Sequence, residues 1–178
     1  GRGLKGNTLG IFGLGKQGLQ VAGYAKAFGM KVIAWSHNLN QENCQKVGIE
    51  YVNSADLFKM SDILTIHTRL SDRTIGYIDK DNLKLMKKGS VIINTSRGPI
   101  IKEQDLIDAL NNKTISFAAL DVYDQEPLPR DHILRKTKNL ILTPHIGYVS
   151  EEAYEKFFNG YLKAIEAFLN QNPINQIS

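Results

Sequence analysis

Gly13-Leu14-Gly15-Lys16-Gln17-Gly18 sets three glycines at the spacing Gly-x-Gly-x-x-Gly. Where an apolar strand gives way to a helix, the first glycine of such a run makes a tight turn and the second lets the backbone approach a pyrophosphate. The third lets helix and strand pack closely. The helix N-terminus adds unpaired N–H groups and the positive end of its dipole. The flanks here are of that kind: residues 9–12 read as a buried strand, and Leu19, Val21, Ala22, Ala25 and Phe28 recur at helical period. A dinucleotide is therefore expected on Gly13, Gly15 and Gly18. The competing reading is a glycine-rich turn without a ligand, and the flanking strand and helix weigh against it.

A second set of polar residues follows the ends of other apolar runs: His67-Thr68, Thr95-Ser96-Arg97-Gly98, Asp121, and Pro144-His145-Ile146-Gly147. Each alone has an ordinary structural reading, a satisfied histidine or a surface arginine. In an open α/β sheet, however, residues at the carboxyl ends of strands face the ligand crevice, so four such clusters opposite a glycine turn point to one site.

The elements that must position these residues alternate regularly. Strands are expected at residues 8–12, 31–35, 49–52, 63–67, 90–94, 116–121 and 140–143, with helical segments at 16–28, 41–47, 79–86, 102–111 and 150–170 and a short helical turn at 54–59. Gly29 and Gly89 stand where a helix must stop before a strand, and Ser54 precedes a short acidic first turn. With no internal repeat, the chain reads as a single α/β domain, a doubly wound parallel sheet of the Rossmann type covering residues 1–178.

Composition excludes several other classes. Hydrophobic residues make up 42% and charged ones 22% of 178 residues, enough to bury a core. No apolar run reaches the roughly 18 residues that a spanning helix needs, so no membrane association is expected. Cys44 is the only cysteine, which rules out an intrachain disulfide or a cysteine-based metal cluster. A reducing cytoplasm is the expected compartment, and no metal site is expected. Cys44 reads as an ordinary helix residue. The net charge of +4 is spread out, with Lys87 and Lys88 the only adjacent lysines, which argues against a nucleic-acid footprint. The chain opens on Gly1 rather than Met and reaches its first strand within eight residues, so further sequence is expected upstream.

Longer segments carry a family resemblance. His67-Thr68-Arg69-Leu70-Ser71-Asp72-Arg73-Thr74-Ile75-Gly76, Asn94-Thr95-Ser96-Arg97-Gly98-Pro99-Ile100-Ile101, Leu120-Asp121-Val122-Tyr123 with Glu126-Pro127-Leu128-Pro129, and Leu142-Thr143-Pro144-His145-Ile146-Gly147 resemble the signature segments of the D-isomer-specific 2-hydroxyacid dehydrogenases. The resemblance runs from residue 4 to residue 169 in family order and spacing. It implies the nucleotide-binding domain of such an enzyme, with the substrate-binding domain absent from this chain.

The resemblance also assigns roles. Arg97 matches the arginine that holds the substrate carboxylate and polarises its carbonyl, a task suited to a planar two-pronged guanidinium. His145 matches the general acid/base, and an imidazole with an intrinsic pKa near 6.5 suits proton transfer close to neutrality. Glu126 matches the carboxylate that orients that histidine. The implied cofactor contacts are Gly13, Gly15, Lys16, Gln17, Gly18, Ser36, His67, Thr68, Thr95, Ser96, Arg97, Asp121, His145 and Gly147. Of the other histidines, His37 is placed toward the adenosine end and His132 in a loop. The activity implied is interconversion of a small 2-keto acid, such as glyoxylate or hydroxypyruvate, and a D-2-hydroxy acid. A non-enzymatic, NAD(H)-sensing module resembling the family's corepressor relatives is the alternative.

Two departures from the usual family pattern bear on the cofactor. Lys16-Gln17 stands where many relatives have Arg-Ile; the lysine can still meet a pyrophosphate, and the glutamine exchanges an apolar contact for a polar one. After the second strand, Ser36 occupies the place of the acidic residue that holds a ribose 2′-hydroxyl. Serine removes the repulsion against a 2′-phosphate, yet no arginine follows it in sequence, so NAD is expected with NADP left open. The resemblance further suggests a homodimer. Tyr148, Tyr154, Phe157, Phe158, Tyr161 and Phe168 give the C-terminal segment more apolar surface than one helix usually exposes. Packing on the chain's own sheet and on the absent domain would explain it equally well.

Overall fold

The computed structural model describes residues 3–176. Seven strands form one all-parallel sheet: β1 (Thr8–Phe12), β2 (Lys31–Trp35), β3 (Glu50–Tyr51), β4 (Ile63–Ile66), β5 (Val91–Asn94), β6 (Phe117–Leu120) and β7 (Leu140–Leu142). Their spatial order is β3-β2-β1-β4-β5-β6-β7. The chain winds outward in one direction through β3 and then returns to the other side of β1. Strand order therefore reverses between β1 and β4, and a crevice opens beyond the carboxyl ends of those two strands. The doubly wound parallel sheet expected from the sequence is the sheet observed.

Burial on both faces explains why the strands are nearly continuous apolar runs. Successive β1 side chains alternate between two clusters: Leu9 and Ile11 pack with Ala22, Ala25, Val32 and Cys44, whereas Phe12 packs with Ile33, Leu57, Phe58 and Leu64. Gly10 belongs to the second face. A Cβ there would lie 1.9 Å from Oγ of the fully buried Ser61, so glycine lets helix and strand touch. Cys44 is fully buried and its thiol is pushed up by that burial, as expected of an ordinary packing residue.

The helices are α1 (Lys16–Ala27), α2 (Gln41–Lys46), α3 (Ser54–Met60), α4 (Lys80–Leu85), α5 (Glu103–Asn111) and α6 (Glu151–Leu169). The expected short turn at 54–59 is a two-turn helix. Its cap is Asn53 rather than Ser54, because the Asn53 carboxamide oxygen accepts from the Asp56 N–H at 2.9 Å. Asn40, Asp79 and Ser150 cap α2, α4 and α6 in the same way. Gly29 and Gly89 have φ of 73° and 91°, the left-handed geometry in which a chain leaves a helix for a strand.

The chain divides into two compact units, residues 1–144 with the sheet and α1–α5, and residues 145–178 with α6. None of the α6 residues is buried, and Tyr161, Phe168 and Leu169 are 68%, 71% and 73% exposed. Among the described residues, no helix is long and apolar enough to cross a membrane, and no three His, Cys, Asp or Glu side chains are grouped to hold a metal ion.

Candidate functional site

The turn after β1 is built by contacts that only glycine tolerates. Gly13 has φ of 103°, and a Cβ on it would meet the Thr68 nitrogen at 2.5 Å. A Cβ on Gly18 would meet the Gly13 carbonyl oxygen at 2.3 Å. The Gly13 N–H donates to the Trp35 carbonyl and the His67 N–H to the Phe12 carbonyl, so the ends of β1, β2 and β4 are tied at the switch point. Gly15 differs: a Cβ there would meet nothing within 4 Å. It is also the N-cap of α1, and no side chain caps it. An uncapped helix N-terminus behind an open-faced glycine fits a phosphate group.

A cleft of about 1030 Å³ opens over this turn, at the upper end of the roughly 300–1,000 Å³ of small-molecule sites. Gly13, Gly15, Lys16 and Gln17 form one wall, Ser36 and His37 the end beyond β2, and His67 and Thr68 the wall beyond β4. His37 packs on the Trp35 and Tyr77 rings at 4.9 and 5.2 Å between centroids. His67 Nε2 lies 3.0 Å from Thr65 Oγ1, and burial holds its pKa below the ordinary value, which favours the neutral imidazole.

Beyond β5 the loop is held by Asn94, whose carboxamide accepts from the Ser96 N–H at 3.0 Å and donates to the Arg97 carbonyl at 2.8 Å. The Ser96 hydroxyl donates to the Thr68 carbonyl, which joins this loop to the cleft wall. Thr95 and Arg97 are exposed, and the Arg97 guanidinium donates back to the Ser96 carbonyl at 2.6 Å. Gly98 then passes so close to the next loop that a Cβ would lie 2.1 Å from the Tyr123 carbonyl carbon. Tyr123 donates its N–H to Glu126 Oε1 at 2.9 Å. Arg97 and Glu126 thus sit on two loops in direct backbone contact.

The remaining predicted residues are placed differently. Gly18 is buried at the base of the turn. Asp121 is 6% exposed, outside the cleft lining, and its Oδ1 accepts from the Thr143 hydroxyl at 2.5 Å. His145 and Gly147 begin the second unit. His145 has φ of 56°, a left-handed backbone uncommon outside glycine but adopted by histidine more readily than by most residues, and its ring lies edge-on to Tyr148 at 6.2 Å. Asn94, Gly98 and Tyr123 position the loops; in the sequence Gly98 stands out only as part of a strand-end cluster, and Asn94 and Tyr123 only as members of the quoted segments.

A parallel sheet with a glycine-walled cleft at its switch point defines a dinucleotide-binding domain. More narrowly, the sequence model of the D-isomer specific 2-hydroxyacid dehydrogenase NAD binding domain matches residues 1–147, and the chain belongs to that family. It is 38% identical to a hydroxypyruvate reductase from Blautia hydrogenotrophica over 98% of the chain and 54% of the relative. It is 42% identical to a glyoxylate reductase from Thermococcus litoralis over 94% of the chain and 50% of that protein. A solved structure from Ralstonia solanacearum, provisionally named a D-3-phosphoglycerate dehydrogenase, superposes with a TM-score of 0.93 at 41% identity. That match covers 98% of this chain and 52% of the other. The chain spans about half the length of the relatives it matches.

Proposed function

We propose that this chain is the cofactor-binding half of an oxidoreductase that interconverts a small 2-keto acid and a D-2-hydroxy acid, glyoxylate and hydroxypyruvate being the first substrates to try. The observation that carries the reading is the cleft over Gly13, Gly15 and Gly18, with its uncapped helix N-terminus and the open face of Gly15. Lys16 and the α1 N–H groups take the pyrophosphate, and His67 and Thr68 line the wall beneath.

When bound, the reduced cofactor supplies a hydride to the carbonyl carbon. Arg97 grips the substrate carboxylate and polarises the carbonyl through paired charge-assisted hydrogen bonds. His145 delivers the proton that the carbonyl oxygen needs, and Glu126 orients its ring. Thr95, Ser96, Asp121 and Gly147 complete the surroundings of the reacting end. These roles rest on the family resemblance of the segments that carry them. A substrate-binding domain outside this chain closes the pocket and excludes water.

Two finer assignments complete the proposal. The protein works in the cytoplasm, where its lone buried Cys44 stays reduced. It is a homodimer, in which the exposed apolar face of α6 meets a second copy.

Titration calorimetry of the chain with NADH and NADPH tests the reading. Binding of at least one at micromolar to submillimolar concentration is expected, with no appreciable turnover of glyoxylate by the chain alone. Heat-silent titrations with both, up to millimolar cofactor, would reject it.

A further inference from the structure

We propose that Arg73 selects the phosphorylated form of the cofactor by binding a 2′-phosphate, which makes this a site for NADP(H) in preference to NAD(H). The inference rests on the dinucleotide reading above and adds a specificity-determining residue to it.

Ser36 directly follows β2, at the place where an acidic side chain would hold an unphosphorylated ribose and repel a phosphate. In sequence, Ser36-His37-Asn38 offers no arginine to replace it. The fold brings one from 35 positions away: Arg73 lies on the loop after β4, and its guanidinium donates to Asn38 Oδ1 at 3.4 Å. Ser36, Asn38 and Arg73 all line the same end of the cleft.

That loop is firmly shaped. Thr74 is 4% exposed; its hydroxyl donates to the Arg69 carbonyl at 2.8 Å and accepts from the Ser71 N–H at 2.8 Å. The Thr74 N–H donates to the Ser71 carbonyl at 2.8 Å. Thr74 thus fixes the backbone from which Arg73 extends, and the planar guanidinium loses less entropy per hydrogen bond than a lysine would when it grips an anion.

The electrostatics point the same way. Lys16, Lys46, Arg69 and Arg73 line the cleft, and no Asp or Glu does. Lys46 is paired with Glu42 at 2.7 Å, whereas Arg73 has no carboxylate partner among the described residues. A pyrophosphate near Lys16 accounts for one cation. A guanidinium at the far end, beside a hydroxyl and a carboxamide and facing no carboxylate, matches a further phosphate dianion.

Dissociation constants of the 178-residue chain for NADPH and NADH, measured by calorimetry at low ionic strength, test the inference. The unaltered chain is expected to bind NADPH the more tightly. Arg73→Ala should weaken NADPH at least about tenfold, the size of one lost charge-assisted hydrogen bond, and leave NADH within about twofold. Arg73→Lys should retain part of the preference, because it keeps charge and loses the fork. Ser36→Asp should reverse it through repulsion. A melting curve for each variant confirms folding, which the exposed position of Arg73 favours. Tighter binding of NADH by the unaltered chain would overturn the assignment. So would an equal loss of both cofactors in Arg73→Ala, since the arginine would then serve the adenine. Failure to bind either cofactor would reject the dinucleotide reading itself, and this inference with it.

Discussion

Arg97 stands out among the side chains of the candidate site because its backbone is held and its head is exposed. Asn94 clamps the Arg97 carbonyl, and the guanidinium donates to the Ser96 carbonyl, its one hydrogen-bond partner among the described residues. A side chain so placed can exchange one local hydrogen bond for a bidentate grip on a carboxylate at little cost to the fold. In a protein that joins this chain to the proposed substrate-binding domain, Arg97→Lys should lower kcat/KM for glyoxylate or hydroxypyruvate by about 10- to 100-fold. An ammonium keeps the charge and loses the two-pronged geometry, and a hydrogen bond to a charged group contributes about 1.5–3 kcal/mol. Cofactor affinity, measured separately by titration, should fall by less than kcat/KM, because the two-pronged contact is with substrate and lysine keeps the charge beside the cofactor. A normal kcat/KM in this variant would remove Arg97 from the proposed mechanism.

At the level of elements, the strand-end loops depend on close backbone approach more than on side-chain packing. Gly98 opens a short 3-10 turn (Gly98–Ile100), and the three atoms nearest to a Cβ there are all backbone: the Tyr123 carbonyl carbon and oxygen and the Asp124 nitrogen at 2.1, 2.3 and 2.6 Å. Backbone cannot rotate out of the way as a side-chain tip can. Gly98→Ala should therefore cost about 1–3 kcal/mol of stability, the range for overpacking a filled site. Denaturant unfolding of this variant beside Gly23→Ala measures it, since a Cβ on Gly23 in α1 meets nothing within 4 Å. Gly23→Ala should be stabilising by up to about 1 kcal/mol, because alanine is the better helix former. Equal stability of the two variants would mean that the β5 and β6 loops are not in contact as described.

For the molecule as a whole, one pH dependence of stability comes from Glu103 and Asp124, a partly exposed pair of carboxylates beside α5. Burial raises the Glu103 carboxyl above its ordinary 4.5; His132, 3.5 Å away, opposes the rise and Asp124 adds to it. Asp124 is likewise raised above 3.8 by burial, with His132 opposing. A folded-state pKa above the unfolded value means that the native state binds more protons, so stability falls as pH climbs through the interval between the two. Asp79 works in the opposite sense. Burial pushes its carboxyl up, yet the N–H groups of Asn82 and Asp81 and the nearby Lys102 together hold it below the ordinary value. Its contribution is present above the unfolded pKa and is lost on acidification. Thermal melts across pH 3.5 to 7 should show a steeper loss toward neutrality in the unaltered protein than in a Glu103→Gln, Asp124→Asn double variant. An identical slope in the two proteins would show that these carboxylates titrate as they do in the unfolded chain.

Whatever depends on neighbours along the chain was legible in residue order. Alternating apolar runs and helical periods set out the sheet, and Gly13-x-Gly15-x-x-Gly18 located the turn, because strand burial, helix amphipathicity and turn geometry are local consequences of residue order. The departures were small and equally local: Asn53, not Ser54, caps α3, and β3 shrinks to Glu50–Tyr51, where pairing with β2 extends over only two residues. Which distant residues share a space followed from the way the strands are arranged in the sheet. The Asp121 carboxylate accepts from the hydroxyl of Thr143, 22 positions later at the neighbouring strand end. Gly98 owes its role to a loop 25 positions later, and Arg73 reaches Asn38 across the switch point. Such contacts are set by strand order, which reverses at β1, and no pattern of spacing along a chain encodes the distance between two loops that the sheet brings side by side.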